Sequence, residues 1–318
     1  MKRRKYLLRG VGICLCAALV ICSSILIYPS GALGEAPFDA RAAMGQETVK
    51  LLEGASKDAY VKRDLATGEV TVTEPDPGAA KNVKMISPSI PDGLESADPQ
   101  KPGTKAIIGD DGRVQAPSVD VFPFSAVVQL KIEFQNGTTS AGTGAFVGDN
   151  LILTAGHIVY DPSHGWVTSV TAYPGGTLSK FGSTTAVSVA SFNGWVSDYE
   201  FYYEYGLIEV ADCLQAGSFG LSDITDDSLH DSVLTHYGFP GDKDEGTLWH
   251  SAGVAVDYYP DWFEHDMDAA GGQSGGPIVQ QTAPTFITGV HLGQLTNDSN
   301  FAARINKKVI AFVTSYIS

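Results

Sequence analysis

The sequence has few cysteines, and most of them stand at its beginning. Three of the four lie at positions 14, 16 and 22, and only Cys213 follows. Once the leader described below is removed, no internal disulfide can form, so stability must come from the burial of apolar side chains. We expect Cys213 to be a small buried hydrophobic residue and not a reactive thiol.

Basic residues are also scarce after the first nine positions. The chain holds 36 acidic against 21 basic residues, and five of the basic ones stand within positions 2–9. No cluster of Lys or Arg follows, whereas nucleic-acid binding depends on such clusters to neutralise phosphates. Nucleic acid is therefore excluded as a partner.

Residues 1–34 are interpreted as a secretory signal peptide. A basic start precedes an uncharged run of 18 largely apolar residues at 11–28, and small residues follow at 32–34. Its cleavage makes the protein secreted and extracellular, without stable membrane association. The alternative is a retained anchor helix, because 18 such residues are just long enough to span a bilayer.

Residues 35–105 differ in composition from the rest of the chain. They contain 7 of the 16 prolines and only two aromatic residues, Phe38 and Tyr60, so we expect little burial there. One helix is predicted around Gln46 to Val61, followed by a linker rich in Pro, Asp and Gly. We interpret 35–105 as a propeptide and linker, and 106–318 as the main folded domain.

From residue 106 onwards, short β-branched runs alternate with turn residues. This spacing is typical of an all-β sandwich or barrel. The end of the chain predicts one strong helix, because apolar residues recur there at three- and four-residue spacing behind Asn306 as cap. Strands are predicted within 125–132, 144–147, 151–154, 168–173, 207–210, 233–237, 253–258 and 286–291.

A glycine-rich string around Ser274 is the strongest signal of chemistry; residues 271–277 read GGQSGGP. A serine hydroxyl is a poor nucleophile at neutral pH and needs a neighbouring base and N–H donors for the oxyanion. The glycines allow the N–H groups of Gly272 and Ser274 to converge on one point. The string also fits the G-x-S-x-G pattern of α/β-hydrolases, but that fold needs an acid and then a histidine downstream, and only His291 follows.

A histidine follows a predicted apolar strand upstream of this string. Residues 151–157 read LILTAGH, so the strand ends in small residues and His157. Small residues there allow the imidazole to enter a cleft. His157 is therefore the candidate general base for Ser274, returning the proton to the leaving amine later.

Thr154-Ala155-Gly156-His157, together with 272–277, resembles the chymotrypsin-like serine endopeptidases, and within them the bacterial glutamyl endopeptidases of staphylococci and bacilli. Further matches stand at 106–113, 236–248, 266–272 and 289–293. The resemblance covers about 106–318 and implies a double β-barrel, an active site between the barrels, a cleaved propeptide, protein or peptide substrates and no cofactor. We expect a monomer, and no metal site, because the acidic groups show no zinc or EF-hand spacing.

The third member of the catalytic triad departs from the family pattern. The family places an Asp before a short apolar strand, and the matching residue here is Glu204. Glu can orient the imidazole and stabilise the imidazolium, but its extra methylene demands a small displacement and predicts reduced activity. Asp198, six residues earlier, is the competing candidate.

Two positions bear on the choice of substrate. His291 matches the histidine that receives the substrate carboxylate in glutamyl endopeptidases, where an imidazole donates a charge-assisted hydrogen bond. The family's hydroxyl residue, five before the serine, is Ala269 here. Asp268 stands where trypsin-like enzymes carry the acid that selects Arg or Lys. We expect cleavage after Glu, with Asp as a further target, and keep cleavage after Arg or Lys as the alternative.

The residue before the serine bears on activation. Trypsin-type zymogens have an Asp there that pairs with the new N-terminal amine, and Gln273 cannot make that ion pair. The resemblance implies that the freed amine lies by the specificity pocket instead, and we predict a zymogen processed between Lys105 and Ala106. A protease-like binding protein of weak catalysis is a further alternative, motivated by Glu204, although the intact Ser274 argues against it.

Overall fold

The computed structural model describes residues 38–96, 110–296 and 299–317. The predicted signal peptide, Lys105 and Ala106 lie outside the described residues. Within the described ranges, no helix has the length and apolar character needed to cross a membrane.

Strands make up most of the described chain. They are, in order, β1 (Tyr60–Asp64), β2 (Val70–Thr73), β3 (Val114–Gln115), β4 (Val127–Phe134), β5 (Thr139–Gly148), β6 (Leu151–Ala155), β7 (Tyr160–Asp161), β8 (Gly165–Pro174), β9 (Thr184–Phe192), β10 (Tyr205–Val210), β11 (Gly220–Leu221), β12 (Leu234–Gly238), β13 (Trp249–Gly253), β14 (Ala255–Tyr258), β15 (Trp262–His265), β16 (Pro277–Gln280), β17 (Ala283–Thr296) and β18 (Ser299–Arg304). The helices are α1 (Ala40–Ala43), α2 (Gln46–Gly54), α3 (Ala79–Asn82), α4 (Gly156–Val159), α5 (Asn193–Asp198), α6 (Asp226–His230) and α7 (Lys307–Thr314).

The first sheet closes into a barrel. Its strand order is β2-β1-β9-β10-β6-β5-β4-β8-β7, and a further pairing of β8 with β9 joins six of these strands in a ring. The interior is apolar, with Leu130, Ile152 and Ile208 fully buried. Burial of such side chains contributes about 1.5–3 kcal/mol each to folding.

The second sheet is a half-barrel. Its order is β14-β15-β18-β17-β16-β12-β13-β3, with β11 parallel to β17, and the described pairings do not join its two ends. Its interior includes several buried polar side chains, among them His236, His265, His291 and Arg304. The all-β, two-barrel architecture expected from the sequence is thus present.

The predicted C-terminal helix is confirmed as α7. The side chain of Asn306 accepts a hydrogen bond of 3.2 Å from the N–H of Val309, which caps the helix. Its apolar face packs on the first barrel, where the rings of Phe312 and Phe192 lie 4.4 Å apart.

The eight predicted ranges overlap β4, β5, β6, β8, β10, β12, β14 and β17, whereas other strands, among them β9, β15, β16 and β18, were not anticipated. β9 has the sequence TTAVSVASF, in which small polar residues obscure the alternation that marks a strand. Cys213 is exposed, contrary to expectation. It lies beyond the end of β10, where the amide of Gln215 donates to its Sγ at 3.0 Å.

The expectations for 38–96 need correction. The predicted helix ends at Gly54 and not near Val61, because the chain turns there and continues as β1. The segment also contains buried residues, contrary to the expectation of little burial. Tyr60 and Val61 are 6% and 0% exposed, since β1 pairs with β9 of the first barrel.

Candidate active site

His157 stands on the turn that follows β6. Every residue of β6 is buried, and α4 begins at Gly156. A side-chain carbon at Gly156 would lie 2.8 Å from the indole of Trp195, so only glycine lets the turn approach this ring so closely. Trp195 is itself fixed by a hydrogen bond of 2.9 Å from Nε1 to the carbonyl of Tyr160. The imidazole is therefore presented from a rigid support.

Glu204 meets this imidazole from the neighbouring strand. It directly precedes β10, and Tyr205 of β10 pairs with Ala155 of β6. Glu204 Oε1 lies 2.5 Å from His157 Nδ1. The carboxylate of the competing candidate Asp198 lies 3.5 Å from Lys57 Nζ instead, and within the described residues it has no hydrogen bond or ion pair with His157.

The charge of Glu204 decides the basicity of His157. Burial lowers the pKa of His157, because a charged imidazolium is poorly solvated there. The hydrogen bond and negative charge of Glu204, with a contribution from Asp161, outweigh this effect. The net pKa of His157 is raised above its ordinary value of 6.5, so the site stabilises the imidazolium form.

Ser274 lies on a tight turn pressed against the end of β6. Gly275, the next residue, has φ +85°, and a side-chain carbon there would overlap the carbonyl of Thr143 and the hydroxyl of Thr154. This close approach brings the serine turn to the strand that leads into His157. Ser274 Oγ donates to the carbonyl of Leu292 at 3.3 Å, and the described part of the chain contains no hydrogen bond between Ser274 and His157. Catalytic hydrogen bonds are often long without substrate and tighten when it binds.

Two backbone N–H groups of the turn are free to bind a ligand. The N–H groups of Gln273, Gly275 and Gly276 donate to the carbonyls of Ala270, His291 and Gln273, at 3.1, 2.7 and 3.0 Å. Within the described residues, the N–H groups of Gly272 and Ser274 have no such acceptor. These are the two donors that the sequence predicts for the oxyanion hole.

His291 belongs to a buried cluster of three histidines in the half-barrel. It lies on β17, and its N–H and carbonyl bond to Gly276 and Gly275 of the serine turn, at 2.9 and 2.7 Å. His265 Nε2 lies 3.2 Å from His291 Nδ1, and the ring of His236 lies 4.5 Å from that of His291. Sequence reasoning missed His236 and His265 as members of the site.

All three histidines of this cluster are held in the neutral form. Burial lowers the pKa of His236 to about 3, and the neighbouring imidazole of His265 and the positive charge of Arg113 add to the effect. Burial also places the pKa values of His265 and His291 well below 6.5, and each is lowered further by a neighbouring imidazole. A cluster of bases without a carboxylate partner cannot hold a proton easily.

Asp268 bonds to the chain that precedes the first barrel. Its Oδ2 accepts a hydrogen bond of 2.7 Å from the N–H of Gly112, and its carbonyl accepts one of 2.7 Å from the hydroxyl of Ser251. Burial raises the pKa of Asp268, and the N–H of Gly112 opposes that shift. Ala269, the next residue, is half-buried.

Residues 110–115 are docked beside the serine turn, whereas the sequence analysis placed only the freed amine near the specificity pocket. Arg113 is 7% exposed and pairs with Asp111 at 2.9 Å and with Asp242 at 2.5 Å. Its guanidinium also donates to Gln273 Oε1 at 3.4 Å, directly beside Ser274. β3 then pairs with β13 through Gln115 and Trp249. The two carboxylates raise the pKa of Arg113 above its ordinary value, despite burial, so the ion pairs persist at every physiological pH.

The geometry agrees with the comparisons to known proteins. The trypsin family profile matches residues 112–314. A glutamyl endopeptidase of Bacillus licheniformis is 32% identical over 227 residues, covering 67% of this chain and 69% of that protein. A protein of Bacillus subtilis named extracellular metalloprotease is 28% identical over 267 residues, covering 81% of this chain and 84% of that protein, a match longer than 106–318 alone.

A solved structure of a Glu endopeptidase in complex with MPD superposes with a TM-score of 0.60 at 24% identity, covering 66% of this chain and 98% of that one. It shares the fold of two β-barrels with a C-terminal helix. The chain belongs to the trypsin family, as a serine endopeptidase similar to the glutamyl endopeptidases.

Proposed function

We propose that this endopeptidase is made as a secreted zymogen and cleaves peptide bonds after Glu, with Asp as a further target. One observation carries the proposal for Glu. A buried imidazole, His291, is bonded through its backbone to the serine turn, while the nearby acid Asp268 is already occupied by the N–H of Gly112. A pocket with an imidazole donor suits a carboxylate better than a cation.

In the proposed reaction, Ser274 Oγ attacks the carbonyl carbon of the scissile bond. His157 Nε2 takes the hydroxyl proton as the bond forms and gives it to the leaving amine as the tetrahedral intermediate collapses. Glu204 accepts the Nδ1 proton of His157 in a hydrogen bond throughout, which fixes the tautomer and stabilises the imidazolium. Water then repeats these steps to release the acyl group from Ser274.

The negative charge of the tetrahedral intermediate needs donors of its own. The free N–H groups of Gly272 and Ser274 are proposed to bind this oxyanion. Backbone donors fixed before the reaction pay no reorganisation cost, and loss of one such donor typically costs 10²–10³ in kcat.

The substrate glutamate is proposed to bind at His291. His291 is neutral in the free enzyme because burial lowers its pKa, so its imidazole can offer one N–H as a hydrogen-bond donor. If His265 Nε2 donates to His291 Nδ1, the remaining proton of His291 stands on Nε2 and is free for the substrate. An arriving carboxylate raises the pKa of His291, because opposite charges favour the charged form.

The zymogen proposal rests on how the docked residues relate to the predicted cut. Residues 110–115 are already bonded to Asp268, Asp242 and β13 in the uncut chain. Gly112 stands six residues after Ala106, and an extended chain of that length reaches about 20 Å. A cut between Lys105 and Ala106 would therefore free an amine within reach of the pocket without moving the docked residues.

A cleavage profile tests the proposed function. Residues 35–318 are expressed, cut at Lys105–Ala106, and incubated with a denatured mixed proteome beside a Ser274→Ala control. We expect Ser274-dependent cuts clustered after Glu. The Asp268→Ala variant, compared with wild type, should keep the preference for Glu.

Two results would contradict parts of the proposal. Cuts clustered after Arg or Lys, and lost in Asp268→Ala, would transfer selection to Asp268 and leave the fold and triad unchanged. Equal cleavage by the uncut and the cut chains would show that the protein is not a zymogen.

A further inference from the structure

We propose that residues 38–73, the N-terminal arm, are a lasting part of the enzyme and hold the catalytic acid in position after processing. The arm acts on residues 193–204, the acid loop, which ends at Glu204. This inference rests on the proposed roles of His157 and Glu204.

The arm is built into the sheet of the first barrel. β1 pairs with β9 in an antiparallel register of five residue pairs, from Tyr60 opposite Phe192 to Asp64 opposite Ser188. Val61 is fully buried, and the ring of Tyr60 lies 4.9 Å from that of Phe312 in α7. β9 leads directly into the acid loop, so the arm is paired with the strand from which this loop starts.

The start of the acid loop is bonded to the arm through the backbone. The N–H of Asn193 donates to the carbonyl of Ala59 at 2.8 Å, and the N–H of Gly194 donates to the carbonyl of Lys57 at 2.9 Å. Asn193 Nδ2 also donates to the carbonyl of Leu52 in the last turn of α2, at 3.0 Å, and to that of Ser56 just after the helix, at 3.1 Å. The last carbonyls of a helix lack intrahelical partners, and here the acid loop supplies one.

The C-terminal part of the acid loop also contacts the arm, at Lys57. Lys57 Nζ forms an ion pair with Glu200 and lies 3.5 Å from Asp198. These side chains are partly exposed, so the pairs add little to stability. They do connect the loop to the arm within four residues of Glu204.

The acid loop makes two contacts that set the position of His157. Trp195 packs against Gly156, where no side-chain carbon would fit, and Glu204 bonds to His157 Nδ1. Trp195 follows directly after the two residues bonded to the arm, and Glu204 follows the loop segment paired with Lys57. The arm therefore supports both contacts, which makes Lys57 and Asn193 positioning residues and not catalytic ones.

Processing at Lys105–Ala106 breaks none of these bonds. The chain between the arm and the cut is also attached, because Ile86 bridges to Leu221, Ser89 to Ser218 and Ser96 to Phe122. The segment should remain on the mature enzyme without a covalent link.

The first experiment asks whether the cut segment stays. The Ser274→Ala chain is secreted, cut at Lys105–Ala106 and passed over a size-exclusion column in native buffer. We expect the fragment ending at Lys105 to co-elute with 106–318 at equal molar amounts. Release of the fragment, with unchanged kcat of the remaining active enzyme in the parallel Ser274 sample, would overturn the inference.

The second experiment removes contacts one at a time in the full chain. We expect Asn193→Ala to lower kcat by about 10-fold with little change in KM, and Lys57→Met to lower it by about 3-fold, since small misplacements of catalytic groups reduce the rate. Arg41→Met is the matched control, because Arg41 pairs at 2.8 Å with Glu53 inside the arm and has no described bond to the acid loop. Variants that change melting temperature but leave kcat and its pH profile unchanged would reduce the arm to a structural support.

A proton NMR measurement separates this inference from the proposed function. The hydrogen bond between His157 and Glu204 should give a far-downfield Nδ1 proton signal, which needs no catalysis to be seen. We expect it in wild type and Arg41→Met, and broadened or lost in Asn193→Ala. An unchanged signal in Asn193→Ala would contradict the inference. Failure of wild type to react with a fluorophosphonate would contradict the proposed function, while the NMR signal still tests the arm.

Discussion

Each barrel contributes one histidine to the candidate site, and the pKa values of the two histidines are shifted in opposite directions. The first barrel places His157 against Glu204, which raises its pKa despite burial. The half-barrel places His291 against other imidazoles, which lowers its pKa well below 6.5. Both side chains are largely enclosed, so the neighbour and not burial alone decides the difference. In the proposed mechanism, His157 accepts a proton, whereas His291 donates a hydrogen bond while uncharged.

The largest expected effect comes from residues of both barrels, because His157 follows a strand of the first barrel and Ser274 belongs to the half-barrel. His157→Ala and Ser274→Ala should each lower kcat by about a million-fold, and the double variant should lower it no further, because the two side chains act as one unit. Single-turnover kinetics on a glutamyl peptide would measure this. Additive losses would contradict a shared proton transfer.

Loss of the carboxylate should make His157 more like His291. We expect Glu204→Gln to lower kcat by about 10⁴-fold, because the imidazolium loses its stabilising charge. The base must be neutral, so activity rises with pH through the pKa of His157. Removal of Glu204 lowers that pKa, so the acidic limb of the kcat/KM profile should move to lower pH. Asp198→Asn is the control and should keep the wild-type limb.

Loss of the neutral donor should affect specificity and spare the chemistry. His291→Leu should lower kcat/KM for substrates with Glu before the scissile bond by about 10²-fold, as for loss of a buried charge partner. Labelling of Ser274 by a small fluorophosphonate should continue at nearly the wild-type rate. Equal losses for the peptide and the label would mean that the variant disturbs the serine turn instead.

The smallest effect concerns stability. His236 stays neutral in the folded protein until about pH 3, whereas the unfolded chain binds a proton below about 6.5. Its contribution is complete above pH 6.5 and is lost as pH falls towards 3. At pH 5 the loss is about 2 kcal/mol of unfolding free energy. Denaturant unfolding at pH 7 and 5 should show a smaller pH-dependent loss in His236→Leu than in wild type, while a substitution at the exposed His230 should not change it.

Much of the fold and site could be predicted from local signals. Ser274 and His157 are marked by glycines and by a buried strand, and the offset of Glu204 from β10 separates it from Asp198. The histidine cluster could not be predicted in this way. His236, His265 and His291 are single residues on three strands, brought together only by the register of the half-barrel. The arm was missed because its composition is poor in aromatics and its partner strand is remote in sequence.

That remoteness has a consequence for the order of folding. The contact between Lys57 and Glu200 closes a loop of 143 residues. The barrel strands β4 to β10 pair over shorter separations in sequence. Pairing over a longer separation loses more chain entropy before the stabilising contacts form. The arm should therefore dock late, onto a β9 that has already formed. Contacts absent from the folding transition state act mainly on the unfolding rate, so the arm sets how long the assembled protease lasts more than how quickly it forms.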